Sequence, residues 1–287
     1  MTPNNFLGLE PEHSHYDTSK VVIIPAGFEA STSYQQGTAH GPSAIIKASQ
    51  QVELYDIELN THFHTVGVHT LEALHFTKTP ASKACEMLHE KTKTILKDHK
   101  WPIMLGGEHT ISYGLFLALF EKYPNLSIFH IDAHTDMREA YEGNPYSHAS
   151  ILYLMRKKCS KTVSIGIRSM CEEEALYVKR NKVPVYYDYQ TRNKSFSPKE
   201  LFSHLTDQVY LTIDVDGFSP ALVPSTGTPE PGGLEFYQSL DILKELFHEK
   251  EVVGMDVVEH MPIPHVVYGD FSVAKIIYKC IGYKYFQ

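Results

Sequence analysis

LSIFHIDAHTDMRE, residues 126–139, sets an apolar run directly against a cluster of charge. Its first half lacks sustained polar alternation, the pattern of a strand buried on both faces of a parallel sheet. Just beyond, His130, Asp132, His134 and Asp136 stand at alternate positions. In open parallel sheets ligands bind in the crevice outside the carboxyl ends of the strands, so these side chains sit where a site is expected.

Runs of the same kind recur as VVIIPAG (21–27), FHTVGV (63–68), PIMLGG (102–107), TVSIGI (162–167), VPVYY (183–187), VYLTIDVD (209–216) and VVGMDVVE (252–259). Helical patterns lie between several of them. Ala84, Leu88 and Ile95 mark one face of 81–99, and Phe236, Leu240, Leu243 and Phe247 one face of 234–250. Strands alternating with helices predict βαβ units and an open, doubly wound parallel sheet. No hinge-like linker, low-complexity tract or internal repeat divides the chain, so residues 1–287 read as one domain.

The 287 residues are 43% hydrophobic, enough for a large core, and the formal net charge of -8 argues against a polyanionic partner. It is compatible with a cationic substrate. Cys85, Cys159, Cys171 and Cys280 are widely spaced with no CxxC, which suits reduced thiols in a cytoplasmic protein. The N-terminus has neither a basic n-region nor an apolar h-region, and GLFLALF (114–120) is far too short to span a bilayer. A soluble protein without nucleic-acid or membrane partners is expected.

Polar residues concentrate at the ends of three expected strands: His109 after PIML, then Asp132, His134 and Asp136, then Asp214 and Asp216. Four carboxylates gathered in one crevice would repel one another unless cations neutralised them. Two divalent metals would do so, and a mixed carboxylate and imidazole shell suits Mn²⁺ better than Mg²⁺, Ca²⁺ or a structural zinc. The implied chemistry is metal-assisted hydrolysis. His130 reads as a hydrogen-bonded core histidine, sharing the Asp132 side of its strand, rather than as a further ligand.

GGEHT (106–110), IDAHTDMRE (131–139) and TIDVDGFSPALVPSTGTPEPGGL (212–234) resemble, in order and spacing, the three signature segments of the ureohydrolase family of arginases and agmatinases. Weaker similarity runs from STSYQQGTAHGPSAI (31–45) to DVVEHMP (256–262). The resemblance implies a three-layer α/β/α sandwich with a mainly parallel eight-stranded sheet, and hydrolysis of a guanidino group to urea and an amine at two Mn²⁺ per chain. It places one ion on His109, Asp132, Asp136 and Asp214, and the other on Asp132, His134, Asp214 and Asp216, with Asp132 and Asp214 bridging. It assigns Glu259 to the substrate guanidinium and His148 to proton transfer toward the departing amine or to substrate binding; in the mechanism expected from this, Asp136 takes the remaining proton of the attacking hydroxide and passes it to the leaving nitrogen. It also implies a homo-oligomer, trimer or hexamer.

Departures from the arginase pattern narrow the substrate. EAYEGNPYSHAS (139–150) lacks the Ser-Gly-Asn loop that arginases use for the substrate carboxylate, and Cys171 stands near where they carry an acidic residue. Agmatine, giving putrescine and urea, is therefore the expected substrate. Guanidinobutyrate, guanidinopropionate, aminopropyl-agmatine, guanidine, formiminoglutamate and arginine are the alternatives, and a non-catalytic metal-binding homologue is the remote one. Two points stay open. Glu172 to Glu174 are either a solvated helix start or substrate contacts, and His260, where relatives carry a small apolar residue, is either a buried structural histidine or part of the pocket.

Overall fold

The computed structural model describes residues 3–192 and 196–286. The apolar runs become strands β1 (Val21–Ala26), β4 (Val68–Thr70), β5 (Trp101–Gly106), β6 (Ser127–Ile131), β7 (Thr162–Ile167), β8 (Val185–Tyr187), β9 (Gln208–Asp214) and β10 (Glu251–Val258), while β2 (Tyr55–Asp56) and β3 (Thr61–His62) form a small antiparallel hairpin. The eight form one sheet in the order β4-β1-β5-β10-β9-β6-β7-β8, with every neighbouring pair parallel. The expected eight-stranded arrangement with helices on both faces is what the chain adopts.

The largest boundary difference falls in the second run. Phe63–Val66, read as the start of a strand, is a 3₁₀ turn, and the strand begins only at Val68. The Phe63 N–H is taken by the Tyr278 hydroxyl at 3.0 Å instead of a sheet partner. Gly67 then turns the chain at φ +77°, where a Cβ would lie 2.6 Å from Ser19 Cα, so only glycine fits.

Strand alternation distributes the core between two layers. Val21 and Ile23 join one apolar cluster with Ile45, Leu243 and Ile277, beneath the helices Gly41–Ser49, Phe236–Glu249 and Tyr268–Tyr285. Val22 and Ile24 join the other with Leu88, Leu115 and Leu152, beneath Ala81–Lys97, Ser112–Lys122 and Ile151–Arg156. Each fully buried aliphatic side chain in these layers contributes about 1.5–3 kcal/mol relative to exposure.

The strand order places the site. After β5 the chain skips to β6, builds outward through β7 and β8, and returns to insert β9 and β10 between β6 and β5. The carboxyl ends of β5, β10, β9 and β6 therefore lie side by side at the sheet's centre. His109, Glu259, Asp214 and Asp132, remote in sequence, follow or end those four strands.

An ion cluster ties the hairpin to the last helix. Lys279, buried in Tyr268–Tyr285, reaches both Asp56 oxygens at 3.0 and 2.9 Å and also Glu58, which accepts from Lys244 and Tyr283. Although burial disfavours its charge, these partners lower the Glu58 pKa to about 2. Removing the cation strands Asp56 in the interior, so Lys279→Met is expected to cost about 3 kcal/mol or more. That corresponds to a Tm lowered by roughly 5–10 °C in a thermal melt; an unchanged Tm would show the pair to be dispensable. Among the described residues no helix is long and apolar enough to cross a membrane, and the four cysteines are unpaired.

Candidate active site

β5 ends in Gly106–Gly107, and a Cβ on Gly107 would lie 1.9 Å from the Phe28 carbonyl oxygen. This close backbone approach turns the chain so that His109 begins a 3₁₀ helix with its ring directed over the sheet's end. His109 Nε2 pairs with Thr212 Oγ1 at 2.9 Å, and the Thr212 hydroxyl donates to Asp256 Oδ1 at 2.8 Å. Nε2 therefore carries a hydrogen, and Nδ1 is the nitrogen turned to the carboxylates, available to a metal once its proton is displaced. Nδ1 lies 3.0 Å from Asp136 Oδ2, 3.4 Å from Asp132 Oδ2 and 3.5 Å from Asp214 Oδ2, yet makes no aligned hydrogen bond to any of them. Four electron-pair donors thus face one another with almost no access to water.

The other half lies a few ångströms outward. His134 Nδ1 is 3.0 Å from Asp216 Oδ2 and 3.6 Å from Asp132 Oδ1. Asp216 is held by the Ala133 N–H on Oδ1 at 3.0 Å, and its own N–H donates to Asp214 Oδ1 at 2.9 Å. His109, Asp132 and Asp136 make one group of atoms spaced for a metal ion, and Asp132, His134 and Asp216 make a second. Asp132 belongs to both. His130 also falls within the first group, but its two nitrogens are occupied, Nε2 by Asp132 Oδ2 at 2.8 Å and Nδ1 by Ser164 Oγ at 3.0 Å. It behaves as the core histidine its strand position suggested, orienting a neighbouring carboxylate.

Electrostatics favour a cation here. Burial and the charges of Asp216 and Asp132 push the Asp214 carboxyl well up, and burial with the charge of Asp132 raises Asp136. Burial works the same way on Asp132, but His130, His109 and His134 outweigh it and hold that carboxylate well below its usual range. Burial opposes charge on the histidines as well. Their carboxylate neighbours nevertheless raise His109 far above an ordinary imidazole and His134 to about 12. The cluster therefore retains protons until a metal displaces them, so metal affinity rises with pH. The acceptor-rich set, with an imidazole lone pair aimed into it and no thiol, fits divalent cations bound through oxygen and nitrogen.

A cavity of about 300 Å³ opens onto this cluster and includes His134, Asp136, His148, Asp214, Asp216 and Glu259 in its wall. Glu259 follows β10 with left-handed backbone, φ +62°. Its N–H donates to the Gly107 carbonyl at 2.7 Å and its Oε1 accepts the His109 N–H at 2.6 Å. Burial foremost, and then the charge of Glu108, push its carboxyl well above the usual range. His148 reaches the cavity from the loop after β6. All the expected site residues are thus brought together at one end of the sheet.

Both open points gain structural contacts, while Glu174 also lines the cavity. Glu172 and Glu173 are exposed at the start of the helix Glu172–Asn181, but Glu174 is buried and caps it. Glu174 Oε1 accepts Thr135 Oγ1–H at 2.6 Å and the Met137 N–H at 3.0 Å, bracing both neighbours of Asp136, which itself sits at φ +51°. His260 is fully buried and its Nε2 meets Asp270 Oδ1 at 2.8 Å, anchoring the chain just past Glu259 to the first turn of the last helix. Sequence reading missed Thr212, Asp256, Glu108 and Ser31, and also Arg138, whose guanidinium lines the cavity 3.6 Å from Glu174. Their one signal was a place inside the family-like segments: Glu108 in GGEHT, Arg138 in IDAHTDMRE, and Thr212, Ser31 and Asp256 at the starts of the segments 212–234, 31–45 and 256–262.

The sequence pattern of the Arginase family matches residues 19–282. An N(1)-aminopropylagmatine ureohydrolase of Synechocystis sp. is 38% identical over 98% of this chain and 94% of that protein. An agmatinase of Halalkalibacterium halodurans is 35% identical over 87% of this chain and 86% of that protein. In three dimensions the agmatine ureohydrolase of Thermoplasma volcanium superposes with a TM-score of 0.89, at 26% identity, over 99% of this chain and 95% of that one. With this fold, this cluster of carboxylates and imidazoles and these relatives, the chain belongs to the arginase family of ureohydrolases.

Proposed function

We propose that the chain hydrolyses the guanidino group of agmatine to urea and putrescine, using two Mn²⁺. His109, Asp132, Asp136 and Asp214 would hold one ion, and Asp132, His134, Asp214 and Asp216 the other. The observation that carries this reading is His109 Nδ1 set among three carboxylate oxygens at 3.0–3.5 Å without an aligned hydrogen bond to any of them, a donor set spaced to share a cation. When bound, such a metal pair lowers the pKa of a water enough for it to act as a nucleophile near neutral pH.

The chain's own residues supply the rest. Glu259 is fixed through its Oε1 by the His109 N–H and has Oε2 left for the substrate, so it pairs with guanidinium N–H groups and aims the carbon at the carboxylate cluster. Asp136, braced by Glu174, takes one proton of the attacking water and passes it to the leaving nitrogen. His148 takes the water's other proton and delivers it to the same nitrogen as the C–N bond breaks, so the amine departs protonated and urea departs neutral.

A second substrate of the same class, N1-aminopropylagmatine, is favoured by the name of the 38%-identical relative. Arg138 in the cavity wall is the cationic partner that an acidic substrate such as guanidinobutyrate would need. The unpaired cysteines support a reducing, cytoplasmic setting. Urea release from manganese-loaded protein, measured across agmatine, N1-aminopropylagmatine, arginine, guanidinobutyrate, guanidinopropionate and guanidine, decides among these. Preference for agmatine at about two manganese per chain is the expected result. Preference for another compound would keep the chemistry and replace the substrate, and no urea from a fully metallated protein would overturn the reading.

A further inference from the structure

The proposed proton route ends at His148, and the groups behind its ring come from two other segments. Glu108, fully buried after β5, directs its carboxylate at one loop. Oε2 accepts the N–H groups of Ala30 and Ser31 at 2.7 and 2.6 Å, and Oε1 accepts the Ser31 hydroxyl at 2.9 Å. Ser31 Oγ lies 3.2 Å from His148 Nδ1, and it accepts the His148 backbone N–H at 3.4 Å. A hydroxyl has a single hydrogen to give. With that hydrogen committed to Glu108, Ser31 Oγ meets the imidazole as an acceptor. Nδ1 must then carry the ring hydrogen, and Nε2 is the nitrogen left for the cavity. The Tyr141 ring, edge-on at 5.4 Å between centroids, restricts the imidazole further.

We propose that Ser31 is a positioning residue, whose hydroxyl, oriented by Glu108, holds His148 as the Nδ1–H tautomer with Nε2 turned to the reacting centre. The inference rests on the ureohydrolase reading above. In the step it serves, Nε2 takes the second of the attacking water's two protons, the one Asp136 does not carry, and passes it to the leaving amine nitrogen as the C–N bond breaks. The ring thereby returns to its starting tautomer, and Ser31 and Glu108 neither gain nor lose a proton.

Ser31→Ala is expected to lower kcat about ten-fold, a part of the usual general acid–base contribution. KM and metal content should stay at wild-type values, and Ser31→Thr, which keeps the hydroxyl, should recover most of the rate. The tautomer is read separately by ¹⁵N NMR of histidine-labelled, Zn²⁺-loaded protein, with the His148 signals identified by their loss in His148→Gln. Wild type and Ser31→Thr should show Nδ1–H, and Ser31→Ala should move toward Nε2–H. Wild-type kcat in Ser31→Ala, or an Nε2–H imidazole in the wild type, would overturn the assignment. Absence of urea production together with an Nδ1–H His148 counts against the proposed activity alone, so the two failures are distinguishable.

Discussion

Asp214→Ala is expected to leave a folded protein that retains little metal and releases urea on the order of 10³-fold more slowly, or not at all. Asp214 ends β9 between the two halves of the cluster. Its Oδ2 is 3.5 Å from His109 Nδ1, while its Oδ1 accepts the Asp216 N–H. One carboxylate therefore reaches both halves of the cluster, and under the proposed assignment its loss removes a donor from each metal. Burial and two neighbouring carboxylates already hold its pKa well up in the metal-free chain, so only a cation makes its ionised form favourable there. Elemental analysis of the dialysed variant, beside a urea assay, measures both effects. Full activity with a full metal complement would exclude Asp214 as a shared ligand.

Glu259→Gln separates substrate grip from metal retention. The amide oxygen keeps the contact with the His109 N–H, so the β10 end and the metal cluster stay in place. The charge proposed to face the guanidinium is lost, and removing one partner of a buried charge pair costs about 2–5 kcal/mol. The expected fall in kcat/KM is therefore on the order of 10²–10³-fold, with metal content unchanged. Stability should move the other way. Burial and Glu108 raise the Glu259 pKa above its unfolded value, so its ionised form costs folding free energy as pH rises past that unfolded value. The neutral amide removes that cost, and the variant's Tm near neutral pH should equal or exceed that of wild type. Parallel losses of metal and activity would instead place Glu259 in the metal centre.

Most of the sheet was legible in the sequence because burial on both faces leaves a local mark. SIFHI, TVSIGI and VYLTID are apolar runs whose strand assignment needs no partner to be known. FHTV misled for the same reason in reverse: it is apolar enough for a strand, but the Tyr278 hydroxyl takes its backbone hydrogen bond from 215 residues away. The proposed ligand positions were equally local, each lying within a few residues of a strand end.

The sequence by itself therefore determined the strands, the residues at their carboxyl ends and the family. Tertiary structure alone decided how those residues are held. Insertion of β9 and β10 between β5 and β6 brings the carboxylates together, and a periodic pattern carries no information about strand order. Ser31 and His148 lie 117 residues apart, and Glu174 lies 39 and 37 residues from the Thr135 and Met137 it braces. His260 could be placed only once Asp270 was seen beneath it. Periodicity records which face of an element is buried. A hydrogen bond between segments depends on where the whole sheet sets each side chain, and only the folded chain specifies that.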